Sequence, residues 1–166
     1  ETDTNPSVRA LDPAFAYELA TIIQHGIKEM FEQDLDVMYY IAIYNENYPM
    51  PAKPKGVDEG IIKGLYKLRG APKGDGPIVR LIGSGPIMLQ VLDAVEKLEE
   101  FGVRSEIWSA TSYGELRRDG LECERWNRLN PNQPEKQSWV QQMLGSTKDP
   151  IIAVSDNMAA VPDMIR

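Results

Sequence analysis

The sequence has little cysteine and little histidine, with one of each among 166 residues. Cys123 has no second cysteine to pair with, which excludes an internal disulfide and fits a reducing compartment. Glutamates on both sides of Cys123 disfavour its thiolate, so a packed thiol is a better interpretation than a nucleophile. The lone His25 excludes a histidine-rich metal site, and we expect it to face solvent or to cap a helix.

Long apolar runs and clustered basic residues are also missing. No apolar run approaches the roughly 18–20 residues of a membrane span, and the first residues lack the basic and apolar regions of a signal peptide. Asp and Glu outnumber Lys and Arg by 25 to 18, which gives a formal net charge of −7. Binding to a phosphate backbone needs clustered Lys and Arg. We therefore expect a cytoplasmic globular protein with neither a nucleic-acid nor a membrane partner.

The first 50 residues predict a strand, a helix and a second strand. Residues 7–10 form the first strand, and Asp12 is predicted to cap a helix that has Pro13 at its first position. The helix extends over about 20 residues, because apolar side chains recur on one face at three- and four-residue steps. Residues 37–44 are nearly all apolar, which is typical of a strand covered on both faces in a parallel sheet.

Three closely spaced prolines predict a domain border near residue 50. Pro49, Pro51 and Pro54 remove three backbone donors and fix φ, so neither a helix nor a central strand continues through them. We therefore divide the chain into a first part at residues 1–50, an extended linker at 51–54 and a second part at 55–166.

Residues 55–166 alternate between predicted strands and helices. A helix is expected at 58–68, a turn at 73–77, a strand at 78–82, a helix at 86–101 and a strand at 103–109. The strand, helix and strand of residues 78–109 form a right-handed parallel unit. Next come a short helix at 111–117, an irregular stretch to 137, a helix at 138–144, a strand at 151–155 and a helix from 158. The fold class is α/β, a parallel or mixed sheet flanked by helices. Because the last helix has only two turns, we expect this domain to be incomplete.

Gly83-Ser84-Gly85 follows a strand and opens a helix, as the glycine-rich turn of dinucleotide-binding folds does. The third glycine position of that fingerprint holds Met88, and no acid stands at the end of the next strand. We interpret the motif as a tight strand-to-helix turn.

Two polar segments are candidates for a functional or interface role, although we identify no catalytic, cofactor-binding or metal-binding residue. Their members are Asn45, Glu46, Asn47 and Tyr48 in the first, and Arg117, Arg125, Trp126 and Asn127 in the second. The first segment follows the carboxyl end of a strand, and a structural clamp between domains is the preferred interpretation. The second lies in the stretch predicted to be irregular. Trp with Arg is typical of interface anchors, so an interface and plain loop packing both stay open.

Several separate stretches carry a family resemblance in the same order along the chain. They are Asp12-Pro13-Ala14-Phe15-Ala16-Tyr17-Glu18, Asn45-Glu46-Asn47-Tyr48, Gly60-Ile61-Ile62-Lys63-Gly64-Leu65-Tyr66-Lys67-Leu68, Leu81-Ile82-Gly83-Ser84-Gly85, Arg118-Asp119-Gly120 and Cys123-Glu124-Arg125-Trp126-Asn127. These stretches resemble the homodimeric, bacterial-type E1 component of the pyruvate dehydrogenase complex. The resemblance covers nearly the whole chain.

The resemblance implies a fold and a function. Residues 1–50 look like the end of a pyrimidine-binding-type middle domain, and residues 55–166 look like the first part of a transketolase-like C-terminal domain. The parent enzyme would use thiamine diphosphate and Mg²⁺ to decarboxylate pyruvate, and would reductively acetylate the lipoyl group of the E2 acyltransferase. The implied partners are the rest of the E1 chain, a second E1 subunit and E2.

The cofactor motif, the activating Glu and the active-site histidines of that family lie outside the matched stretch. Gly74-Asp75-Gly76 is similar to the first half of the cofactor motif, but the Asn-Asn pair of the second half does not follow, so we interpret it as a surface turn. We expect this chain alone to bind no cofactor, to be inactive and to support the dimer. The alternative is a non-enzymatic α/β interaction module that docks a partner through Tyr48 and residues 117–129.

Overall fold

The structure is a computed structural model that describes residues 5–45, 47–145 and 148–165. The strands in these ranges are β1 (Val8–Leu11), β2 (Met38–Ile41), β3 (Leu65–Arg69), β4 (Ile78–Gly83), β5 (Arg104–Ala110) and β6 (Ile151–Val154). The α-helices are α1 (Ala16–Ile27), α2 (Asp58–Lys63), α3 (Met88–Glu100), α4 (Tyr113–Leu129) and α5 (Trp139–Leu144). The strands form a pair and a four-stranded sheet, which confirms the predicted α/β class.

The four-stranded sheet has the order β3-β5-β4-β6 and is mixed. β4 pairs in parallel with β5 and with β6, while β3 runs antiparallel to β5 at the edge. β4, α3 and β5 therefore form the parallel unit that the sequence predicts. The strand predicted near residue 151 is confirmed as β6.

Helices cover both faces of this sheet, because successive side chains of a strand point to opposite sides. Leu81 and Ile107 pack against α3 on one face. Ile82 and Trp108 pack against α4 and α5 on the other face. Burial of each such side chain stabilises the fold by about 1.5–3 kcal/mol, so the sheet is the main support of both helical layers.

Helix α1 begins later than Asp12 and Pro13 predict. Its first turn follows Phe15, and Glu18 reaches back to accept hydrogen bonds from the backbone N–H groups of Ala14 (2.5 Å) and Phe15 (3.0 Å). These bonds satisfy N–H groups that the start of a helix leaves without a partner. The prediction of an Asp12 cap is therefore wrong, since Glu18 supplies the capping oxygen.

Strand β2 is shorter than predicted and is covered on one face. It pairs in parallel with β1, with Val8 opposite Met38. Met38 and Tyr40 are 63% and 57% exposed, whereas Tyr39 and Ile41 pack against an apolar cluster of β1, α1 and α2. The prediction that both faces are covered is wrong for the described residues, because apolar neighbours meet only one of them.

The helix predicted at residues 58–68 is a helix followed by a strand. Gly64 ends α2 with φ at +99°, a conformation that glycine adopts without the steric cost of a Cβ. The chain then enters β3, where Leu65 lies opposite Ala110 of β5. Pairing with a distant strand overrides the helical spacing of apolar residues on which the prediction rested.

Helix α4 departs most from the sequence-based expectation. A short helix and an irregular stretch to residue 137 were expected, but α4 has 17 residues. The Ser112 hydroxyl caps it by accepting a hydrogen bond from Glu115 N–H at 3.1 Å. Gly120 costs about 1 kcal/mol in the helix interior. Burial of Tyr113 and Leu116 in the first turns offsets that cost.

The helix predicted from residue 158 is a 3₁₀ helix at Pro162–Ile165. Pro162 has no backbone N–H to donate, so a helix that started at 158 would lose a hydrogen bond there. Among the residues that the structure describes, no helix combines the length and the apolar character needed to cross a bilayer.

Candidate functional site

The segment before α1 is fixed to the second part of the chain at a polar junction. The Asp12 N–H donates to Thr111 O at 2.7 Å, and the Gly85 N–H donates to Asp12 O at 3.1 Å. The Ser112 hydroxyl donates to Ala10 O at 2.6 Å. These bonds hold the segment at the carboxyl ends of β4 and β5, the edge at which α/β folds place ligand sites.

Glu18 lies at the centre of the junction, and its side chain is fully buried. Its Oε2 atom accepts the two backbone N–H groups at the start of α1. Its Oε1 atom accepts the hydroxyls of Tyr66 (2.6 Å) and Ser109 (2.7 Å), which lie on β3 and β5. One carboxylate thus joins α1 to two strands of the second part, and its four donors offset part of the cost of burying the charge.

Tyr17 extends the hydrogen bonds of Glu18 toward solvent. Its hydroxyl oxygen is 2.7 Å from that of Tyr66. Tyr66 donates its only hydroxyl proton to Glu18, so Tyr17 donates to Tyr66. Burial raises the pKa of Tyr17 to about 12, and burial also raises the pKa of Glu18 above its usual value despite the four hydrogen bonds. The Tyr17 side chain is therefore protonated at neutral pH. The hydrogen bonds run in one direction, from Tyr17 to Tyr66 and from Tyr66 to Glu18.

Charged side chains from both parts surround the other side of the junction. Arg9 Nη1 is 3.2 Å from Glu115 Oε2, and Arg9 Nε is 3.7 Å from Glu29 Oε2. Arg118 pairs with Glu115 and also donates to the backbone of β1. His25 Nε2 lies 3.5 Å from Glu29 Oε1, one helical turn away. Partly exposed pairs of this kind contribute less than about 1 kcal/mol each, so they orient the parts more than they stabilise them.

Asp12 lies beside a cavity of about 170 Å³ that both parts line. The Tyr44 hydroxyl donates to Asp12 Oδ1 at 3.1 Å. Burial raises the pKa of Asp12, and the negative charge of Asp156 acts in the same direction.

The first predicted segment lies next to this junction. Tyr48 is half-buried against the apolar cluster beneath α3, and its hydroxyl donates to the Ala14 carbonyl. Asn45 and Asn47 are exposed. Glu46 lies outside the described residues. Among the three described residues of this segment, Tyr48 has the position that a clamp between the two parts requires.

The second predicted segment lies on α4 and not in a loop. Arg117 and Arg125 are exposed. Lys136 Nζ lies 4.5 Å from the centre of the Trp126 ring. The Asn127 side chain accepts from Lys136 N–H at 2.8 Å and donates to Lys136 O at 2.9 Å. Trp126 and Asn127 therefore hold the 130–137 stretch against the helix, whereas the side chains of Arg117 and Arg125 are exposed.

Cys123 is a partly buried free thiol on α4. Burial raises the pKa of Cys123, with Asp119 adding more than the adjacent Glu122. The packed thiol is the interpretation that these contacts favour, because a raised pKa reduces the fraction of nucleophilic thiolate.

Glu18, Tyr66 and Ser109 were missed as site residues by the sequence-based reasoning. A signal for Glu18 exists, because it lies three residues after Phe15 and four before Ile22 on the apolar face of α1. A carboxylate on such a face needs buried donors. Nothing in the local sequence identifies Tyr66 and Ser109 as those donors.

The described residues do not fit thiamine diphosphate and Mg²⁺. Mg²⁺ requires oxygen ligands at close range, and residues 5–45, 47–145 and 148–165 contain no group of three or more His, Cys, Asp or Glu side chains that could hold a metal. Gly74 and Asp75 lie on an exposed bend, and the Gly76 carbonyl accepts a hydrogen bond from the Arg104 guanidinium at 2.7 Å. At Gly85, the Asp12 carboxylate occupies the space beside the start of the helix.

Comparison with known proteins gives two adjoining family matches. Residues 64–166 match the family described as the transketolase-like TK C-terminal domain, and residues 1–51 match the pyruvate dehydrogenase E1 component middle domain. The chain is 48% identical to the pyruvate dehydrogenase E1 component of Pseudomonas aeruginosa and 42% identical to that of Escherichia coli K12, over 98% of its length in both cases. It spans 19% and 18% of these two relatives.

Solved transketolases share the fold. The transketolase from Leishmania mexicana superposes with a TM-score of 0.62 at 15% sequence identity, over 96% of this chain and 20% of that one. At this identity the likeness concerns the architecture alone.

Proposed function

We propose that the chain is a segment of a pyruvate dehydrogenase E1 component. The chain belongs to the transketolase-like C-terminal domain family, and it matches pyruvate dehydrogenase E1 components along nearly its whole length. Residues 1–50 are the end of the middle domain, 51–54 the linker and 55–166 the first part of the C-terminal domain. The observation that carries the proposal is the 48% identity over 98% of the chain, which includes both parts.

The whole enzyme is a cytoplasmic homodimer that decarboxylates pyruvate and reductively acetylates the lipoyl group of E2. Thiamine diphosphate, held with Mg²⁺ by other parts of the enzyme, supplies the electron sink for decarboxylation. The residues described here keep the middle and C-terminal domains in a fixed orientation. Glu18 does so by joining α1 to β3 and β5, and Tyr48 by packing against the apolar cluster beneath α3. The segment therefore supports the dimer and carries no catalytic group of its own.

A chimera tests the proposal directly. In the E1 component of Pseudomonas aeruginosa, the stretch matched here is replaced by residues 1–166 of this chain, and pyruvate-dependent reduction of an electron acceptor is measured. We expect activity within about tenfold of the parent, because 48% identity preserves the fold. A chimera that is dimeric and folded but lacks activity would contradict the proposal.

The isolated chain tests the expected lack of a cofactor site. Titration with thiamine diphosphate and Mg²⁺ in a calorimeter should give no stoichiometric binding, because no described cluster of ligands fits the metal. Tight binding with one cofactor per chain would show that the segment holds more of the active site than we propose.

The exposed arginines of α4 are the candidate contact to a partner subunit. Arg125→Glu in the active chimera should weaken the dimer in sedimentation experiments if the helix contacts the second subunit. Asn127→Ala is the matched comparison, because it releases the 130–137 stretch without changing a charge. Unchanged dimerisation in the Arg125→Glu chimera would leave α4 without a role at the subunit contact. A partner bound through α4 by the 166-residue chain alone would instead favour the interaction module.

A further inference from the structure

Among the residues that the structure describes, two buried oxygen atoms at the junction have no hydrogen-bond partner of good geometry, although the Ser84 hydroxyl lies near enough to the Asp12 carboxylate to lower its pKa. They are Asp12 Oδ2 and the Tyr113 hydroxyl. Tyr113 is only 4% exposed, and the charge of Asp12 contributes to raising the pKa of Tyr113, so the two groups face the same region. A buried polar atom without a partner costs about 1–3 kcal/mol, and native structures rarely retain one unless a ligand, an ion or water satisfies it.

Both residues line the 170 Å³ cavity at the junction. The residues that line it include Tyr40, Tyr44, Tyr113 and Asn157. No Lys, Arg or His of the described residues lines it. Asp156 adds a second negative charge nearby, because it raises the pKa of both Asp12 and Tyr44. The cavity is therefore negative, aromatic and without a cation from the chain itself.

We propose that this cavity binds one small monovalent cation, either an alkali ion or the ammonium group of a small amine, between Asp12, Tyr44 and Tyr113. The Asp12 carboxylate supplies the charge, the Tyr113 hydroxyl supplies an oxygen ligand, and the tyrosine rings attract a cation by their negative faces. A volume of 170 Å³ has room for an ion with a few waters, since one water takes about 30 Å³.

The chemistry of the wall selects this class of ligand. An anion would meet Asp12 and Asp156 without a basic residue to pair with. Mg²⁺ and Ca²⁺ require several close carboxylate or carbonyl oxygens, and the described ranges contain no group of three or more His, Cys, Asp or Glu side chains that could hold a metal ion. A monovalent cation needs less charge and accepts hydroxyl ligands. Because Asp12 and Tyr44 precede the linker and Tyr113 follows it, the bound cation would also join the two parts.

Thermal unfolding of the 166-residue chain in different chloride salts tests the proposal. KCl, RbCl, NH₄Cl and methylammonium chloride are compared at equal ionic strength with N-methyl-D-glucamine chloride, whose cation is too large for the cavity. A cation at about ten times its Kd should shift the unfolding equilibrium about tenfold and raise Tm by roughly 3–6 °C, with saturation. A response to K⁺ and Rb⁺ alone identifies an alkali site, and a response to the amines identifies an ammonium site.

Variants locate the effect. Tyr113→Phe removes the unpartnered hydroxyl, so it should melt at least as high as the original chain in N-methyl-D-glucamine chloride and should lose the response to the small cations. Asp12→Asn should lose the response as well. Asp93→Asn, on the exposed face of α3, should keep it. Rb⁺ anomalous diffraction from crystals of the chain should give a peak beside Asp12 and Tyr113.

The proposal would be overturned by an equal Tm in all five chlorides, by an undiminished response in both Tyr113→Phe and Asp12→Asn, or by an Rb⁺ peak elsewhere with none at the junction. A Tyr113→Phe variant that is more stable in every salt by the same amount would show that the hydroxyl is a buried defect and not a ligand. A chain that fails to melt cooperatively would overturn the proposal for this chain, because no junction would then exist to bind the ion.

Discussion

Replacing Glu18 with alanine perturbs the junction at its centre. The carboxylate accepts four hydrogen bonds. The hydroxyls of Tyr66 and Ser109 can rotate toward other acceptors, whereas the N–H groups of Ala14 and Phe15 are fixed at the start of α1. Each buried donor without an acceptor costs about 1–3 kcal/mol, so the two N–H groups alone predict a loss of about 2–6 kcal/mol. A typical unfolding free energy is about 5–15 kcal/mol, so this loss is a large share of the total.

Urea unfolding measures the loss. Tryptophan fluorescence, to which Trp108 (2% exposed), Trp126 and Trp139 contribute, reports on tertiary packing, and far-UV circular dichroism reports on the helices. Glu96→Ala on the exposed face of α3 is the matched control and should change the free energy of unfolding by no more than about 0.5 kcal/mol. Glu18→Gln should lose less than Glu18→Ala, because its amide oxygen can still accept both N–H groups.

The reasoning would be refuted if Glu18→Ala lost no more stability than Glu96→Ala. Such a result would mean that the N–H groups at the start of α1 are satisfied by water, and therefore that α1 does not rest on the second part of the chain as described. An equal loss in Glu18→Gln and Glu18→Ala would instead show that the charge of the carboxylate, and not its hydrogen-bonding shape, holds the junction.

Further predictions concern pH, two glycines and one ion pair. Burial raises the folded-state pKa of Glu18 above 4.5, so the protonated group favours folding. The original chain should therefore lose stability relative to Glu18→Gln as pH rises from about 4.5 through the folded-state pKa, and a flat difference between pH 4 and 8 in urea titrations would contradict this. Gly64→Ala should destabilise by more than about 1 kcal/mol, because φ is +99° and a Cβ would collide with a backbone carbonyl. Gly120→Ala, in the interior of α4 with open space around it, should raise the free energy of unfolding by about 0.5–1 kcal/mol. Thermal melts in which Gly64→Ala is more stable than Gly120→Ala would count against the structure. A double-mutant cycle on Arg9 and Glu115 should give a coupling of about 0.2–1 kcal/mol that shrinks in 1 M salt, and a coupling insensitive to salt would mean that the pair is more buried than described.

The elements with strong local signals were predictable. β4, α3 and β5 follow from an apolar run, a helical repeat and a second apolar run, with glycines at the turns. The match to the middle domain ends at residue 51, close to the three prolines, and the domain border there stays a prediction. The helix capped by Ser138 also lies where it was expected, because the Ser138 hydroxyl and Gln141 form a reciprocal cap that four residues of sequence encode.

The elements that depend on distant partners were not predictable in the same way. β3 was predicted as the end of a helix, because its apolar residues continue the helical spacing of those in α2. Gly64, which lies between the two elements, ends α2 and reverses the chain. The second half of α4 was predicted as irregular, because its many charges and Gly120 lower the helical signal. Pairing with β5 decides the first case, and contacts with the 130–137 stretch support the second.

The sequence by itself determined the α/β class, the central parallel unit and the relationship to E1 components, since each depends on residues close together in the chain or on matched motifs. Tertiary structure alone decided the junction. Glu18 and Ser109 are 91 residues apart in the sequence. Tyr44 lies near Asp12 because β2 pairs with β1. Such contacts depend on how separate elements fold together. The role of a buried carboxylate can therefore be assigned only when the tertiary structure shows its hydrogen-bond donors.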